Sequence, residues 1–331
     1  MGTVQDLGER KIIELIVERL DKPLEMPVPF GDDVSAVPIG DGLLAVLKTD
    51  MLVGGLDVPP GMSLYQVARK AVVMNISDFA SKGVQPSALL VSLGLRRGTS
   101  REDVERLAMG LNAGVREYGA YLIGGDTSEA PDLIIACMVF GTAKSDRLIR
   151  RSGAKTGDIL AVTGLFGKTA AGLKLLLENL DAPAELKRQL LDAVYLPQAR
   201  LREGLALARS GVVTASIDSS DGLAVSLHEL RKMSKKGFEV SSLPVAGEAR
   251  SFAERHKLDV KDLVLYGGEE YELIVTIRPE GWRKAQRFVH KIGGSLFRIG
   301  VVIDDQSIHL REDDKEFEIP YRGWEHFKSH N

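Results

Sequence analysis

Two α/β or α+β domains are what this sequence predicts, and three observations carry the expectation. Its 331 residues exceed one ordinary core and suit two units of about 150 each. Helical and strand-like patterns alternate in both halves. A basic, glycine-containing connector, RRSGAKTGD (150–158), lies between them. The boundary is expected near 145–150, giving an N-terminal domain of residues 1–147 and a C-terminal domain of residues 148–331.

Taken in order, apolar side chains at 12, 13, 16, 17 and 20 have helical spacing. GLLAVLKTD (42–50) reads as a buried strand. From Ser63 to Lys82 the positions Leu64, Val67, Ala68, Ala71, Val72 and Phe79 predict a long helix that stops at Gly83. ALLVSLGL (88–95) is a strand, and Ser100 with Asp103 opens the next helix as a capping box, with Val104, Leu107, Leu111 and Val115 on one face. DLIIACMVFGT (132–142) closes this half as a strand. In the second half DILAVTG is a strand and 168–180 a helix, followed by helical patterns ending near Val194 and at Gly211. VVTASID (212–218) is a strand, 222–237 a helix closed by Gly237, and ELIVTI (272–277) and LFRIGVVI (296–303) are late strands. No short-period repeat interrupts this order.

Composition narrows the function classes. Hydrophobic residues make up 44% and charged residues 27%, as in a soluble globular protein. A formal net charge of −3 gives no basic surface for nucleic acid. The longest apolar run, LIIACMVF (133–140), is far short of the roughly 20 residues of a membrane span. The first residues lack the layout of a signal peptide, so a cytoplasmic location is expected. The one cysteine, Cys137, sits inside that apolar run and reads as a buried structural thiol.

VTGLFGKTAAGL (162–173) imitates a phosphate-binding loop, with Gly167-Lys168-Thr169 ahead of a helix. The P-loop needs another glycine five positions before Gly167, and that place is Val162. The imitation therefore fails. Carboxylates beside glycines or at strand ends say more. They are Asp32 and Asp33 in FGDDVSAV, Asp50 after Thr49 in LKTDMLVGG, Asp78 in NISDFASKG, Asp126 in LIGGDTSEAPD, Asp218 and Asp221 in SIDSSDGL, and Glu269 and Glu270 in LYGGEEYEL. Each alone has an ordinary explanation as a turn, helix cap or solvated face. As a set they point to a metal–nucleotide site, because Mg²⁺ takes oxygen ligands and bridges carboxylates to phosphates. Asp218 and Asp221 stand at a helix start, where the dipole favours phosphate.

FGDDVSAV, KTDMLVGG, NISDFASKG, LIGGDTS, RSGAKTGD, VTGLFGKTAAGL, IDSSDGL and GGEEYEL, in this order, resemble the thiamine-monophosphate kinase family. That family belongs to the ATP-binding superfamily of aminoimidazole ribonucleotide synthetase and selenophosphate synthetase. The resemblance runs from about residue 5 to GWEHF (323–327). It implies an N-terminal domain that forms a β-barrel across a homodimer interface, and a C-terminal α/β layer packed against it. It implies Mg²⁺ at Asp33, Thr49, Asp50, Asp78, Asp126, Asp218 and Asp221, and ATP at Gly125, Asp126, Arg151 and Ser220. Asp57, Glu269 and Trp324 match substrate positions. Trp324 is suited to stack on a cationic heterocycle and Glu269 to offset its charge. The chain departs from the family where Asp57 replaces a frequent His, Ala108 a frequent aromatic, Lys48 a Ser or Thr, Ser219 an Ile and Glu270 an Asp; Lys168 receives no catalytic role.

The implied reaction is direct in-line transfer of the γ-phosphoryl group of ATP to thiamine monophosphate, giving thiamine diphosphate, the last step of its biosynthesis. No membrane or nucleic-acid partner is implied. A phosphate acceptor is largely ionised at neutral pH, so no general base is called for. Asp126, Asp218 and Asp221 would then matter through the metal. The alternatives are another enzyme of the superfamily, resembling aminoimidazole ribonucleotide synthetase, or a non-catalytic ATP- or thiamine diphosphate-binding sensor. Selenophosphate synthetase needs a reactive Cys or selenocysteine in an N-terminal loop, and the hydrogenase-maturation member a Cys-containing tail; this chain has neither and ends HFKSHN.

Overall fold

The protein is described by a computed structural model that covers residues 3–327 apart from 22, 24 and 314. The last residues of HFKSHN, 328–331, fall outside the described residues. The first half runs α1 (Val4–Val17), β1 (Ser35–Gly40), β2 (Leu43–Val53), α2 (Gly54–Asp57), α3 (Leu64–Lys82), β3 (Pro86–Leu95), α4 (Arg101–Glu117), β4 (Tyr121–Glu129) and β5 (Ile134–Lys144). Its five strands form an open sheet in the order β1-β2-β5-β3-β4, antiparallel except for the β3–β4 pair.

α3 begins where Ser63 accepts a hydrogen bond from the Gln66 N–H, and Gly83 ends it in the left-handed region at φ 66°. It lies on one face of the sheet, burying Val72, Ile76 and Phe79 with Ile135, Cys137 and Val139 of β5. Cys137 is buried, as its apolar run implied, and that burial pushes its thiol up to about 12. α4 packs on α3 through Leu107, Leu111 and Val115. Its start is simpler than a capping box: Ser100 accepts from the Asp103 N–H, but the Asp103 carboxylate turns to Arg106.

The opposite face of this sheet is open. Met51 is 56% exposed, Ile123 68%, and every residue of β4 is exposed. α1 is tied to the second half by Arg10, which pairs with Glu229 at 2.9 Å, but Ile13 and Ile16, on the stripe that predicted it, face solvent.

The second half runs β6 (Ile159–Val162), α5 (Lys168–Leu177), α6 (Ala184–Tyr195), α7 (Leu201–Ser210), β7 (Val213–Asp218), α8 (Leu223–Ser234), β8 (Gly237–Val240), α9 (Gly247–His256), α10 (Val260–Tyr266), β9 (Leu273–Ile277), α11 (Trp282–His290), β10 (Phe297–Ile303), β11 (Ile308–Glu312) and β12 (Lys315–Glu318). Its strands form a second open sheet, β12-β11-β8-β10-β6-β9-β7, antiparallel apart from the β8–β11 pair. α8 buries Leu223, Leu227 and Leu230 with Phe238, Val240 and Ile274 of this sheet. It stops at Lys235, φ 54°, two residues earlier than Gly237 suggested. Gly237 instead opens β8, where a Cβ would lie 2.2 Å from the Ser307 carbonyl oxygen.

The halves share one core. α7 packs directly on α3, and at Gly204 a Cβ would stand 2.0 Å from the Ala80 carbonyl oxygen. That close approach, with Leu207 and Val275 in the same cluster as Phe79, brings the end of β7 against α3. Among the described residues no helix is long and apolar enough to cross a membrane.

Candidate active site

The contact between α3 and β7 places carboxylates from distant parts of the chain together. Asp33 comes from the loop before β1, Asp78 from α3 and Asp218 from the end of β7. All three are buried, and each offers an oxygen within 4.8 Å of the others'. Ser77 donates to Asp218 at 2.6 Å and Ser81 donates to Asp33 at 2.6 Å, so consecutive turns of α3 orient two members of the trio. Asp221 follows three residues later, in the connection before α8, and the Trp324 N–H donates to its carbonyl at 3.2 Å, which docks the C-terminal segment beside it.

Cations hold the cluster's outer members, one of them fully buried and two half-buried. Lys82, fully buried, lies 2.7 Å from both Asp32 and Asp33 and donates to the Ser216 carbonyl at 2.8 Å. Arg151 donates through Nε to Asp33 at 2.6 Å and through NH1 to the Gly31 carbonyl at 2.9 Å; its backbone N–H bonds Asp32. Lys48 bridges Asp50 and Asp78 at 3.0 Å each. Burial alone would raise Asp33, but Arg151 and Lys82 hold its carboxyl well below the usual range.

The centre of the cluster is less well compensated. Burial, with Asp33's charge added, pushes Asp218 up to about 7, and burial with Glu9's charge pushes Asp221 up to about 6. Asp78 is raised by burial and by its acidic neighbours, against the pull of Lys48. Carboxyls raised this way disfavour their own charge, and an added cation relieves them. Oxygen donors of one sign, converging in a buried place, fit a hard divalent ion.

A pH dependence follows with a definite sign. Asp218 and Asp221 rise from an ordinary 3.8, so without a cation their contribution to stability falls as pH climbs from that value through about 7 and 6. Cation binding needs them ionised, so stabilisation by Mg²⁺ is expected to be larger at about pH 8 than at about pH 6. Thermal unfolding with and without Mg²⁺ checks this, and an equal shift at both pH values contradicts it.

Other expected residues are distributed differently. Successive strand residues face opposite sides. Asp50 therefore faces α3, while the neighbouring Thr49 lies on the open face and donates its hydroxyl to the Cys137 carbonyl at 2.9 Å. Asp126, on exposed β4, pairs in register with Ser92 on that same open face, outside the buried trio. Gly125 precedes it, and a Cβ there would meet the Val91 carbonyl at 1.9 Å. Ser220 is exposed at the mouth of the β7–α8 turn.

Asp57 accepts from the Val53 N–H at 2.7 Å. Its carbonyl accepts from Lys70 at 2.9 Å, and Lys70 also pairs with Glu269, so the fully buried Lys70 ties together two of the expected substrate residues. Lys48, Lys70 and Lys82 are what sequence reading missed as site residues; the available signal was lysine on otherwise apolar β2 and α3.

The false P-loop is also explained. Glu270 accepts from the Gly167 N–H at 2.6 Å and the Thr169 N–H at 3.2 Å, so a carboxylate of the chain occupies the α5 N-terminus. A second acidic group, Glu239 and Glu316 around His309, lies away at the sheet edge, where the Arg311 guanidinium bridges both glutamates at 2.9 and 3.0 Å.

Residues 31–143 match the family described as AIR synthase related protein, N-terminal domain, and residues 155–313 match its C-terminal domain. A thiamine-monophosphate kinase of Nitrosopumilus maritimus is 33% identical over 322 residues, 97% of this chain and 99% of that protein. The chain belongs to the thiamine-monophosphate kinase family. Another thiamine-monophosphate kinase, of Pyrococcus horikoshii, is 34% identical over 97% of each chain. Among solved structures, AaThiL complexed with AMPPCP and TMP superposes with a TM-score of 0.86 at 27% identity, covering 98% of this chain and 99% of that one. Thiamine-monophosphate kinases thus share both this sequence and this two-sheet mixed α/β fold. The HypE–HypF complex, at 20% identity and TM-score 0.74, shares the fold.

Proposed function

We propose that this chain transfers the γ-phosphoryl group of ATP to thiamine monophosphate, giving ADP and thiamine diphosphate. The observation that carries the reading is the buried convergence of Asp33, Asp78 and Asp218 from both halves of the chain. Full-length relatives that are thiamine-monophosphate kinases, and a similar structure complexed with AMPPCP and TMP, support the choice of substrates.

Asp33, Asp50, Asp78, Asp218 and Asp221 would hold Mg²⁺, which supplies charge neutralisation for two phosphate-bearing substrates. Ser77 and Ser81 aim two of these carboxylates, and Lys82 and Arg151 fix Asp33 as an anion. The acceptor phosphate, with a second pKa of about 6, brings its own nucleophilic oxygen, so positioning and electrostatics do the work. Trp324, 45% exposed beside Asp221, offers a face for a flat cationic ring. Lys70 sets Glu269 and the Asp57 segment on the same wall. Gly125, Asp126 and Ser220 remain the nucleotide contacts of this reading, with Arg151 acting on phosphate while it holds Asp33.

In this reading residues 1–147 and 148–331 are the two domains of a cytoplasmic enzyme. The open apolar face of the first sheet, with Ile123 and Met51 exposed, supports a homodimer in which two such faces close a barrel. Sedimentation is then expected to give twice the 36.0 kDa chain mass, and a monomer at micromolar concentration contradicts it. The reaction itself is tested by offering thiamine monophosphate, an aminoimidazole ribonucleotide precursor and selenide in parallel with ATP and Mg²⁺. Consumption of thiamine monophosphate alone is expected; ATP use with either rival and none with thiamine monophosphate sinks the reading.

A further inference from the structure

The connector between the two sheets holds an arginine that the site above does not use. Arg150 is half-buried, and its Nε is sealed from solvent with no hydrogen-bond partner among the described residues. A guanidinium cannot shed its charge and has five donors to satisfy. Leaving the sealed Nε–H without an acceptor is costly, and an anionic ligand that reaches it removes that cost.

Arg150 lines a cleft of about 410 Å³ between the connector, the end of α7 and the start of β7, a size that suits a small molecule. Arg147 and Arg278 line the same cleft. Among the described residues Arg147 has a loose, exposed carboxylate near it, Asp146 at 3.8 Å, and Arg278 donates to the Gly211 carbonyl. Leu148, Leu207 and Val213 supply an apolar wall. Val213 opens β7 and Asp218 ends it, so at about 3.3 Å per residue the Val213 wall of the cleft stands roughly 16 Å from Asp218.

We propose that this cleft is a second ligand site, which takes the phosphate monoester of a small, partly apolar molecule. Three guanidinium groups match a dianion, since each can give paired hydrogen bonds to phosphate oxygens. The site is independent of the kinase reading, but its occupant would act on a shared element. The Arg150 carbonyl accepts from the Ser216 N–H of β7 at 2.9 Å, and the next residue, Arg151, grips Asp33.

Phenyl phosphate is the probe, titrated calorimetrically into the full chain, with phenol as the uncharged control. One binding event is expected that phenol does not reproduce. Arg150→Gln should weaken it about tenfold or more, Arg278→Gln should also weaken it, and Asp218→Asn should leave it unchanged. If Arg150→Gln does not fold, Arg278→Gln, altering a side chain at the exposed rim, carries the test. No binding to the wild type, binding unmoved by both arginine variants, or equal binding of phenol overturns the proposal.

Discussion

Asp218→Asn is expected to lower kcat by roughly 10²–10³-fold or more while making the cation-free protein slightly more stable. Both effects come from one cause. Asp218 is buried, faces Asp33, and has its carboxyl pushed up to about 7, so its negative charge costs the empty fold free energy. The amide keeps the shape and can still accept the Ser77 hydroxyl, now at 2.6 Å from Oδ2, but it removes the charge that a divalent ion needs. Steady-state kinetics and denaturant unfolding without Mg²⁺ check the pair of outcomes. A variant that loses activity together with cation-free stability would show that Asp218 is a structural group instead.

Lys82→Met is expected to act oppositely, destabilising the protein by about 3–5 kcal/mol. The ammonium is fully buried between Asp32 and Asp33 at 2.7 Å each, so its loss leaves two carboxylates facing each other without it. Methionine fills the volume, which isolates the charge effect from a cavity. Guanidinium unfolding of the variant measures it, and Lys11→Met serves as the contrast. Lys11 pairs with Glu14 at 2.9 Å in solvent and should give no resolvable change. A Lys82 variant as stable as the Lys11 variant contradicts the role given to the buried pair.

Much of the fold could be read because local signals agreed with burial. α3 shows this best: Ser63, an apolar stripe and Gly83 mark its start, face and end, and the structure keeps all three. β4 was missed for a physical reason. Tyr121–Glu129 has two glycines and four polar residues, and none of its residues is buried within the chain, so neither alternation nor an apolar run marks it. α8 was drawn too long because Lys235 adopts the left-handed conformation that Gly237 seemed to announce. The acidic members of the site stood out beside glycines, but their counter-charges did not. Lys82 meets the Ser216 carbonyl across 134 residues, and Lys70 meets Glu269 through packing that no local pattern encodes. The same limit separates Thr49 from Asp50: they are adjacent in sequence, and the sheet turns them to opposite faces.

The most direct test of phosphoryl transfer between two phosphate-bearing substrates is ³¹P NMR of one vessel holding the protein, ATP, Mg²⁺ and thiamine monophosphate. Direct transfer predicts one thiamine diphosphate and one ADP formed together, with no inorganic phosphate released. ADP appearing with inorganic phosphate while thiamine monophosphate stays unchanged would contradict it.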